Sequence, residues 1–261
     1  MQIALYPKAV YKTFQPLTCI NCKQRRMHNI KGKTAIITGG TKGIGYGVAE
    51  ALIAGGMNVA ITGREANTVD EAAQKLGSQC IGLVADVRDY EAQIKVVQDT
   101  EAKFGAVDAM IANAGVGHFA SIEDMTPDQW NQVIDVNLTG VFYSTKASLK
   151  ALIKSQGYLI TIASLAGTNF FAKGSAYNAS KFGLVGFSQA VMMDVRDKGV
   201  KVSTIMPGSV STHFNDHTPG DADSWKIQPE DIGKLVVDLM TMHPRTLPSK
   251  VEVRPSMPSK K

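Results

Sequence analysis

Short apolar runs alternate with longer, partly polar segments along most of the chain, from about residue 34 to residue 253. The short runs are rich in β-branched side chains and almost continuously apolar, which is typical of strands buried on both faces of a sheet. The longer segments are mixed in polarity, and several end at a glycine, which favours helices between the strands. The predicted strands span 34–38, 58–62, 80–84, 107–112, 158–163, 200–206 and 250–253, and the predicted helices span 44–54, 65–76, 89–104, 127–154, 175–197 and 229–242.

This alternation predicts a fold of the α/β class, with a single Rossmann-type, doubly wound parallel sheet of about seven strands and helices on both faces. The length of 261 residues suits one large domain, and residues 34–255 contain no internal repeat and no low-complexity linker. We therefore expect one domain over residues 33–255, an N-terminal extension over 1–32 and a C-terminal tail over 256–261.

The positive charge of the chain is confined to its N-terminal extension. The chain has 28 basic and 23 acidic side chains, a formal net charge of +5 and a pI near 9.0. Residues 1–33 hold seven basic groups and no acidic ones, which leaves 21 basic and 23 acidic groups in the rest. The domain is therefore not basic, and no nucleic-acid partner is expected. The extension is expected to be poorly ordered, with folding starting near Met27, and a targeting role for it stays open.

Composition also limits the other classes of protein. No apolar run approaches the roughly 20 residues that span a bilayer, so no membrane association is expected. Three cysteines cannot form a disulfide framework and suggest a reducing compartment, so a cytoplasmic protein is expected. Cys19, Cys22 and His28 have a zinc-like spacing, but no fourth ligand is evident, because Cys80 lies in a predicted strand. No metal site is therefore expected.

A glycine-rich turn follows the first predicted strand directly, where the sequence reads T-G-G-T-K-G-I-G. Glycines permit positive φ angles and a close approach of a ligand to the backbone. The helix that follows presents unpaired N–H groups and the positive end of its dipole, which suits a pyrophosphate. The candidate pyrophosphate-binding residues are Gly39, Thr41, Lys42, Gly43, Ile44 and Gly45.

The spacing of this turn, T-G-x-x-x-G-x-G, resembles that of the short-chain dehydrogenase/reductase family, and the resemblance extends over about residues 30–253. It implies an oxidoreductase that binds a nicotinamide dinucleotide. Three further motifs after predicted strands agree with the family pattern. The resemblance implies that Asp86 and Val87 contact the adenine, and that Asn113, Ala114 and Gly115 stabilise the sheet near the adenosine ribose. It also implies that the nicotinamide carboxamide is held by Pro207, Gly208, Val210 and Thr212.

The end of the second strand predicts which nicotinamide cofactor is preferred. NAD-binding proteins of this fold usually carry an Asp or Glu there, which bonds the ribose 2′-hydroxyl. Here the position is Gly63, followed by Arg64, and Lys42 lies in the glycine-rich turn. Two cations without a carboxylate suit a 2′-phosphate. NADP(H) is therefore expected in preference to NAD(H).

Four residues match the catalytic tetrad of the family in identity, order and spacing: Asn137, Ser164, Tyr177 and Lys181. Tyr177 and Lys181 are four positions apart and therefore share one face of a helix. The resemblance implies that Tyr177 is the general acid in reduction and that Ser164 bonds the carbonyl oxygen. It further implies that Lys181 bonds the nicotinamide ribose and that Asn137 positions a water. A tyrosine titrates near pKa ~10, and the ammonium of Lys181 is expected to lower that pKa.

The segments after the fourth, fifth and sixth strands are expected to contact the substrate. The first two thirds of the chain resemble the 3-oxoacyl-(acyl carrier protein) reductases of the family, whereas residues 248–255 depart from the glycine-rich ending of that group. These segments contain Phe119, and their His118 and His213 are candidate substrate contacts. Phe170, Phe171 and Trp225 suggest a partly apolar pocket, and a packing or interface role for them stays open.

These observations predict an NADP(H)-dependent oxidoreductase that reduces a carbonyl to a secondary alcohol. The substrate is expected to be a small-molecule carbonyl, with acyl-carrier or CoA thioesters among the candidates. Two alternatives stay open: a dehydrogenase that oxidises a secondary alcohol, sugar or hydroxy acid, and a non-catalytic NADP(H)-binding sensor. The intact tetrad favours an enzyme. The resemblance also implies a homodimer or homotetramer assembled through the long helices.

Overall fold

Seven parallel strands form one sheet in the computed structural model, which describes residues 29–257. Each strand and helix lies within two residues of its predicted bounds, apart from the helix predicted over 127–154. The strands are β1 (Thr34–Thr38), β2 (Asn58–Gly63), β3 (Cys80–Val84), β4 (Ala109–Ala112), β5 (Tyr158–Ile162), β6 (Lys201–Pro207) and β7 (Lys250–Val253). The helices are α1 (Gly43–Ala54), α2 (Ala66–Leu76), α3 (Tyr90–Phe104), α4 (Pro127–Ile134), α5 (Gly140–Ser155), α6 (Ser175–Val195) and α7 (Pro229–Thr241).

The strand order, β3-β2-β1-β4-β5-β6-β7, confirms the doubly wound arrangement. β1 pairs with β2 on one side and with β4 on the other, so Ile37 lies beside both Ile61 and Ile111. The direction of winding reverses between β1 and β4. A crevice therefore opens outside the carboxyl ends of these two strands, where ligands bind in open α/β sheets.

The hydrophobic core lies in two layers, one on each face of the sheet. Successive residues of a strand point to opposite faces. Ile37 accordingly packs in a buried cluster with Leu52 of α1 and Val236 of α7, whereas Ile36 packs in a second cluster with Leu152 of α5. Strands buried on both faces need apolar residues at every position, which explains the continuous apolar runs in the sequence.

The helix predicted over 127–154 is interrupted, so that prediction is corrected. α4 ends at Ile134, a π-helical turn covers Asp135–Thr139, and α5 begins at Gly140. The N–H of Gly140 bonds to the carbonyl of Asp135, five residues back instead of four. Apolar periodicity does not distinguish the two bonding patterns over a single turn. Such turns are frequent at functional sites, and this one contains Asn137.

The described domain reaches further towards the N-terminus than residue 33. Ile30 is buried in the core, and the N–H of Gly32 donates to the carbonyl of Gly56 at 2.8 Å. Residues 30–32 therefore pack with the domain. The remainder of the predicted extension lies outside the described residues, as do the last four residues of the chain.

Within residues 29–257 no helix has both the length and the apolar character needed to cross a bilayer. The same range holds no cluster of three or more His, Cys, Asp or Glu side chains that could bind a metal ion. Cys19, Cys22 and His28, considered above for zinc, lie outside it. Cys80 is a buried free thiol in β3, and burial raises its pKa to about 11. That thiol is therefore in its unreactive, protonated form at neutral pH.

Helices α1 and α7 cross at two glycines, and their close contact yields a test of the packing. A Cβ on Gly233 of α7 would collide with the carbonyl oxygen of Gly47 of α1 and would lie 2.9 Å from the Cβ of Ala51. Replacing Gly233 by alanine should lower the free energy of unfolding by about 1–3 kcal/mol, because backbone has to move to accept the methyl group. Urea unfolding followed by circular dichroism measures this change.

Gly186→Ala is the matched control for Gly233→Ala. Gly186 also lies in a helix, α6, but a Cβ there meets nothing within 4 Å. In this variant the free energy of unfolding should rise by about 0.5–1 kcal/mol, since alanine loses less conformational entropy in a helix than glycine does. Equal destabilisation by the two substitutions would contradict the close crossing of α1 and α7.

Candidate active site

A cavity of about 1420 Å³ opens at the carboxyl ends of the central strands. Two of the predicted site residues, Gly45 and Asn137, do not line it, and they contact residues that do. The other predicted residues all line the cavity: Gly39, Thr41, Lys42, Gly43, Ile44, Arg64, Asp86, Val87, Asn113, Ala114, Gly115, Ser164, Tyr177, Lys181, Pro207, Gly208, Val210 and Thr212.

The glycine-rich turn connects β1 to the N-terminus of α1. Gly39 and Gly43 have φ angles of +64° and +57°, a conformation that residues with a Cβ rarely adopt. α1 begins at Gly43, and its N-cap residue, Lys42, makes no side-chain capping bond. The first N–H groups of this 12-residue helix therefore have no side-chain cap. An anion in the cavity could accept hydrogen bonds from these N–H groups.

Asn113 holds the glycine-rich turn in place. Its side-chain amide donates to the carbonyl oxygens of Thr38 and Gly39 at 2.9 and 3.0 Å. The hydroxyl of Thr38 in turn accepts the N–H groups of Asn113 and Ala114 at 3.0 and 3.1 Å. Gly45 is needed at this contact, because a Cβ there would lie 2.5 Å from the amide nitrogen of Asn113. The Asn-Ala-Gly motif therefore joins the ends of β1 and β4.

Two unpaired cations lie in the corner of the cavity next to β2. The strand ends at Gly63, where a Cβ would lie 2.9 Å from methyl groups of both Thr41 and Val69, so packing favours glycine. The side chains of Arg64 and Lys42 are exposed and line the cavity. Neither is within ion-pair distance of a carboxylate of residues 29–257. Both are thus free to meet a negatively charged ligand.

Asp86 forms an ion pair that sequence reasoning missed. The guanidinium of Arg88 contacts the Asp86 carboxylate, with 2.6 Å between Nη2 and Oδ2 and 3.1 Å from Nε to each oxygen. These hydrogen bonds hold the pKa of Asp86 below its ordinary value, and the charge of Arg64 acts in the same direction. The only sequence signal is a D-x-R spacing, which is common on protein surfaces. Arg88 therefore offsets the negative charge of Asp86 at the cavity wall.

Ser164, Tyr177 and Lys181 meet at the opposite end of the cavity. Ser164 follows the end of β5, and the other two residues lie one turn apart on α6. The Ser164 hydroxyl accepts the N–H of Ala166 at 3.1 Å, and its own donor contact, to the carbonyl of Pro207, is 3.5 Å long. A contact of that length is weak. The hydroxyl proton of Ser164 is therefore available to a ligand.

Lys181 is buried without a carboxylate partner among the described residues. Its Nζ donates to the carbonyl of Ile162 at 3.1 Å, which engages one of the three N–H groups of the ammonium. Burial lowers the pKa of Lys181 to about 8, because the charged form loses hydration. Its side chain lines the cavity, so the remaining N–H groups can reach a ligand.

The structure reverses the expected direction of the Tyr177 pKa shift. Burial raises the pKa of Tyr177, and the neighbouring Ser164 hydroxyl lowers it without outweighing burial. The Nζ of Lys181 is 5.6 Å from the centre of the Tyr177 ring, and burial weakens its own charged form. Tyr177 therefore keeps its phenolic proton at neutral pH.

Asn137 fixes two elements of the site through its side chain. Its Oδ1 accepts the N–H of Val116 at 2.8 Å, and its Nδ2 donates to the carbonyl of Val116 at 2.9 Å and to the hydroxyl of Ser180 at 3.1 Å. Both amide protons are used, so the side chain has no free donor for the water expected there. Asn137 thus connects the segment after β4 to α6, close to Lys181.

An ionic cluster around one buried carboxylate, in the segment between β6 and α7, was also missed. The carboxylate of Asp223 contacts Lys226, with 2.6 Å between Oδ1 and Nζ, and it also contacts His217. Hydrogen bonds from Lys226 and then from His217 lower the pKa of Asp223 to about 2. The hydroxyl of Ser211 donates to the same carboxylate at 3.3 Å. These residues come together only when the loop folds, so spacing along the chain gives little indication of them.

Most of the predicted substrate-contacting residues line the cavity. His118 lies there with its Nε2 2.6 Å from Oε1 of Gln132, and His213 and Trp225 line it too. Phe119 and Phe170 are the exceptions, since neither lines the cavity, and the side chain of Phe170 is 86% exposed.

Comparison with known proteins finds dehydrogenases and reductases as relatives of this chain. A family model described as short chain dehydrogenase matches residues 33–222. The 3-oxoacyl-[acyl-carrier-protein] reductase of Salmonella typhimurium is 36% identical over 185 residues, which are 70% of this chain and 76% of that protein. The D-beta-hydroxybutyrate dehydrogenase of Cupriavidus necator is 36% identical over 187 residues, which are 70% of this chain and 72% of that protein. An alcohol dehydrogenase from the archaeon Thermococcus sibiricus, solved with 5-hydroxy-NADP, superposes with a TM-score of 0.81 at 25% identity, covering 88% of this chain and 99% of that one.

Proposed function

Since the chain belongs to the short chain dehydrogenase family, we propose that it reduces the carbonyl group of a small molecule to a secondary alcohol with NADPH. One observation carries the proposal: a protonated tyrosine and an available serine hydroxyl face one cavity with the glycine-rich turn. The cavity thus provides a place for a dinucleotide at one end and proton-transfer groups at the other.

The residues at the glycine-rich turn fit a dinucleotide. Glycines with positive φ remove side chains from the approach to α1, and the start of α1 has no side-chain cap. The N-terminus of a helix with free N–H groups attracts phosphate. Gly39, Thr41 and Gly43 would therefore hold the pyrophosphate, and Val87 and Ala114 would line the adenosine pocket.

NADPH is proposed over NADH because of the charges beside β2. Arg64 and Lys42 are unpaired there among the described residues, and Gly63 offers no carboxylate to bond a ribose 2′-hydroxyl. The charge of Asp86 is offset by Arg88, which reduces its repulsion of a 2′-phosphate. A phosphate gains charge-assisted hydrogen bonds from Arg64 that a free hydroxyl cannot match.

When bound, NADPH supplies the hydride that adds to the carbonyl carbon. Ser164 donates its hydroxyl proton in a hydrogen bond to the carbonyl oxygen, and Tyr177 transfers its phenolic proton to that oxygen as negative charge develops there. The raised pKa of Tyr177 keeps the phenol protonated, which suits the direction of reduction. Lys181 would bond the nicotinamide ribose with the N–H groups that Ile162 leaves free.

Asn137, in this proposal, is a positioning residue. It contacts neither the cavity nor the phenol, and its three hydrogen bonds hold Val116 and Ser180. Ser180 precedes Lys181 on α6. Asn137 therefore sets the position of Lys181 relative to the loop after β4.

The function is tested by steady-state kinetics of the purified protein with NADPH and with NADH. 3-Oxoacyl thioesters are the first substrates to measure, because the Salmonella relative carries that name. Simple ketones follow, and 3-hydroxybutyrate with oxidised cofactor tests the opposite direction, for which the Cupriavidus relative is named. NADPH-dependent reduction of a carbonyl is the expected result. Tight NADPH binding without turnover of any carbonyl or alcohol would overturn the proposal in favour of a sensor.

We further propose that the protein forms a homodimer or homotetramer through α5 and α6. Three large apolar side chains on these helices, Phe142, Phe182 and Met193, are 43%, 43% and 54% exposed. Large apolar side chains that stay exposed on these two helices make them candidates for an interaction surface. Multi-angle light scattering of the purified chain measures its mass, and a monomer at micromolar concentration would contradict the assembly.

A further inference from the structure

Two phenylalanine rings pack against the proposed proton donor, and a third packs against one of them. The ring centres of Phe119 and Phe214 lie 5.4 and 5.7 Å from that of Tyr177, and 6.4 Å from each other. Phe171 extends the group, with its ring centre 5.9 Å from that of Phe119. Phe119 lies in the segment after β4, Phe171 in the segment after β5 and Phe214 in the segment after β6. They form a continuous apolar surface, which we name the aromatic wall.

The aromatic wall is exposed. Phe119, Phe171 and Phe214 are 38%, 48% and 38% exposed, and Phe171 and Phe214 line the cavity. Aromatic surface left in contact with water is unfavourable, and grouped apolar surface of this kind marks a ligand or interaction site. Its position against the ring of Tyr177 indicates a ligand whose reacting group lies at the phenol.

The backbone makes room for the wall. A Cβ on Gly117 would lie 2.8 Å from Cζ of Phe214 and 3.0 Å from ring atoms of Phe119. These two rings therefore occupy the space that a side chain at position 117 would fill. The wall thus depends on a glycine between the Asn-Ala-Gly motif and Phe119.

The cations near this end of the cavity are already engaged. Lys226 pairs with Asp223 at 2.6 Å, and Arg254 pairs with Glu252 at 2.8 Å. The unpaired cations of the described cavity are the two at β2, where the proposal places the cofactor phosphate, and Lys181, which the proposal assigns to the nicotinamide ribose. A carboxylate or phosphate on the substrate would find near the wall only cations that are already paired or assigned to the cofactor, whereas an alkyl or aryl group would cover exposed rings.

We infer that Phe119, Phe171 and Phe214 bind an apolar substituent next to the carbonyl group, so that the substrates are alkyl or aryl ketones and not sugars or hydroxy acids. This inference rests on the proposed function, because it takes Tyr177 as the proton donor. The three loops then select the substrate by burying its apolar group against the wall.

The test uses two ketones that differ only at that substituent, propiophenone and butanone, which carry a phenyl and a methyl group beside the same ethyl ketone. With NADPH, kcat/KM should be at least about tenfold higher for propiophenone, since burial of a ring adds apolar contact. Phe119→Ala and Phe214→Ala should each reduce this ratio by roughly three- to tenfold, mainly through KM. Phe170→Ala is the matched control, because Phe170 neither lines the cavity nor packs against a ring of the aromatic wall, and it should leave the ratio unchanged.

Calorimetric binding of the two ketones to the NADP-loaded protein separates the possible failures. Turnover of both ketones at similar kcat/KM would overturn the binding role of the aromatic wall and would be consistent with the proposed function. If neither ketone turns over but propiophenone binds more tightly, and Phe214→Ala loses this preference, the proposed function is overturned and the binding role of the aromatic wall is supported. Faster reduction of both ketones in the alanine variants would show that the rings shield Tyr177, and it would overturn the inference. If neither ketone binds or reacts, the inference is overturned as well.

Discussion

Replacing Tyr177 by phenylalanine should lower kcat for carbonyl reduction by about 10²- to 10⁴-fold, the range that general acids contribute. Phenylalanine keeps the ring that contacts Phe119 and Phe214 and removes only the hydroxyl group. Packing of the site is therefore preserved, and the loss reports the missing proton donor. NADPH oxidation followed by absorbance gives kcat, and titration of protein fluorescence gives the Kd of NADPH, which should change by less than about threefold.

Tyr158→Phe is the matched control for this substitution. Tyr158 is a buried tyrosine of β5 that does not line the cavity, and its hydroxyl hydrogen-bonds to Ser203 at 2.7 Å. Loss of that bond should lower the free energy of unfolding by about 1 kcal/mol and leave kcat close to the wild-type value. Retention of more than a tenth of kcat in Tyr177→Phe would refute the role given to Tyr177.

Replacing Arg64 by aspartate should lower kcat/KM for NADPH by about 100-fold or more relative to NADH. The substitution removes a charge-assisted hydrogen bond, worth about 1.5–3 kcal/mol, and it places an anion beside the proposed 2′-phosphate. An aspartate at the end of β2 can also bond a free ribose 2′-hydroxyl, so the value for NADH should hold or rise. The measurement is kcat/KM for both cofactors with one carbonyl substrate at a fixed salt concentration, because exposed charges are screened.

Arg245→Asp controls for the change in net charge. Arg245 is an exposed arginine in the segment after α7, and it does not line the cavity. Its replacement should change kcat/KM for NADPH and for NADH equally and by little. Equal losses for NADPH and NADH in Arg64→Asp would refute the phosphate site and leave the cofactor preference without its proposed cause.

The sequence predicted the sheet well because its signals are local. Each strand is a short apolar run, and the glycine-rich turn and the Tyr177–Lys181 spacing are readable within eight residues. The π-helical turn at Asp135–Thr139 was not predictable from apolar periodicity, since one displaced hydrogen bond leaves that pattern unchanged. It nevertheless lies where Asn137 reaches Val116 and Ser180.

Features that depend on burial or on the folding of loops were not predicted from the sequence. The pKa of Tyr177 depends on how much water surrounds the ring, which no spacing specifies, so a neighbouring lysine suggested the wrong direction. The partnership of Asp223 with His217 and Lys226 arises from the path of one loop. The aromatic wall combines residues from three loops, which only the parallel sheet brings to the same edge.

The short segment between Asn113 and Val116 has a consequence for engineering. Asn113 supports the turn that would grip the pyrophosphate, and Val116, three residues on, is clamped by Asn137 beside α6. Arg64 and Phe214, by contrast, lie on loops that leave other strands. Under the proposed function, changes on those loops should alter cofactor choice and substrate choice separately, whereas changes within residues 113–116 should disturb both choices at once.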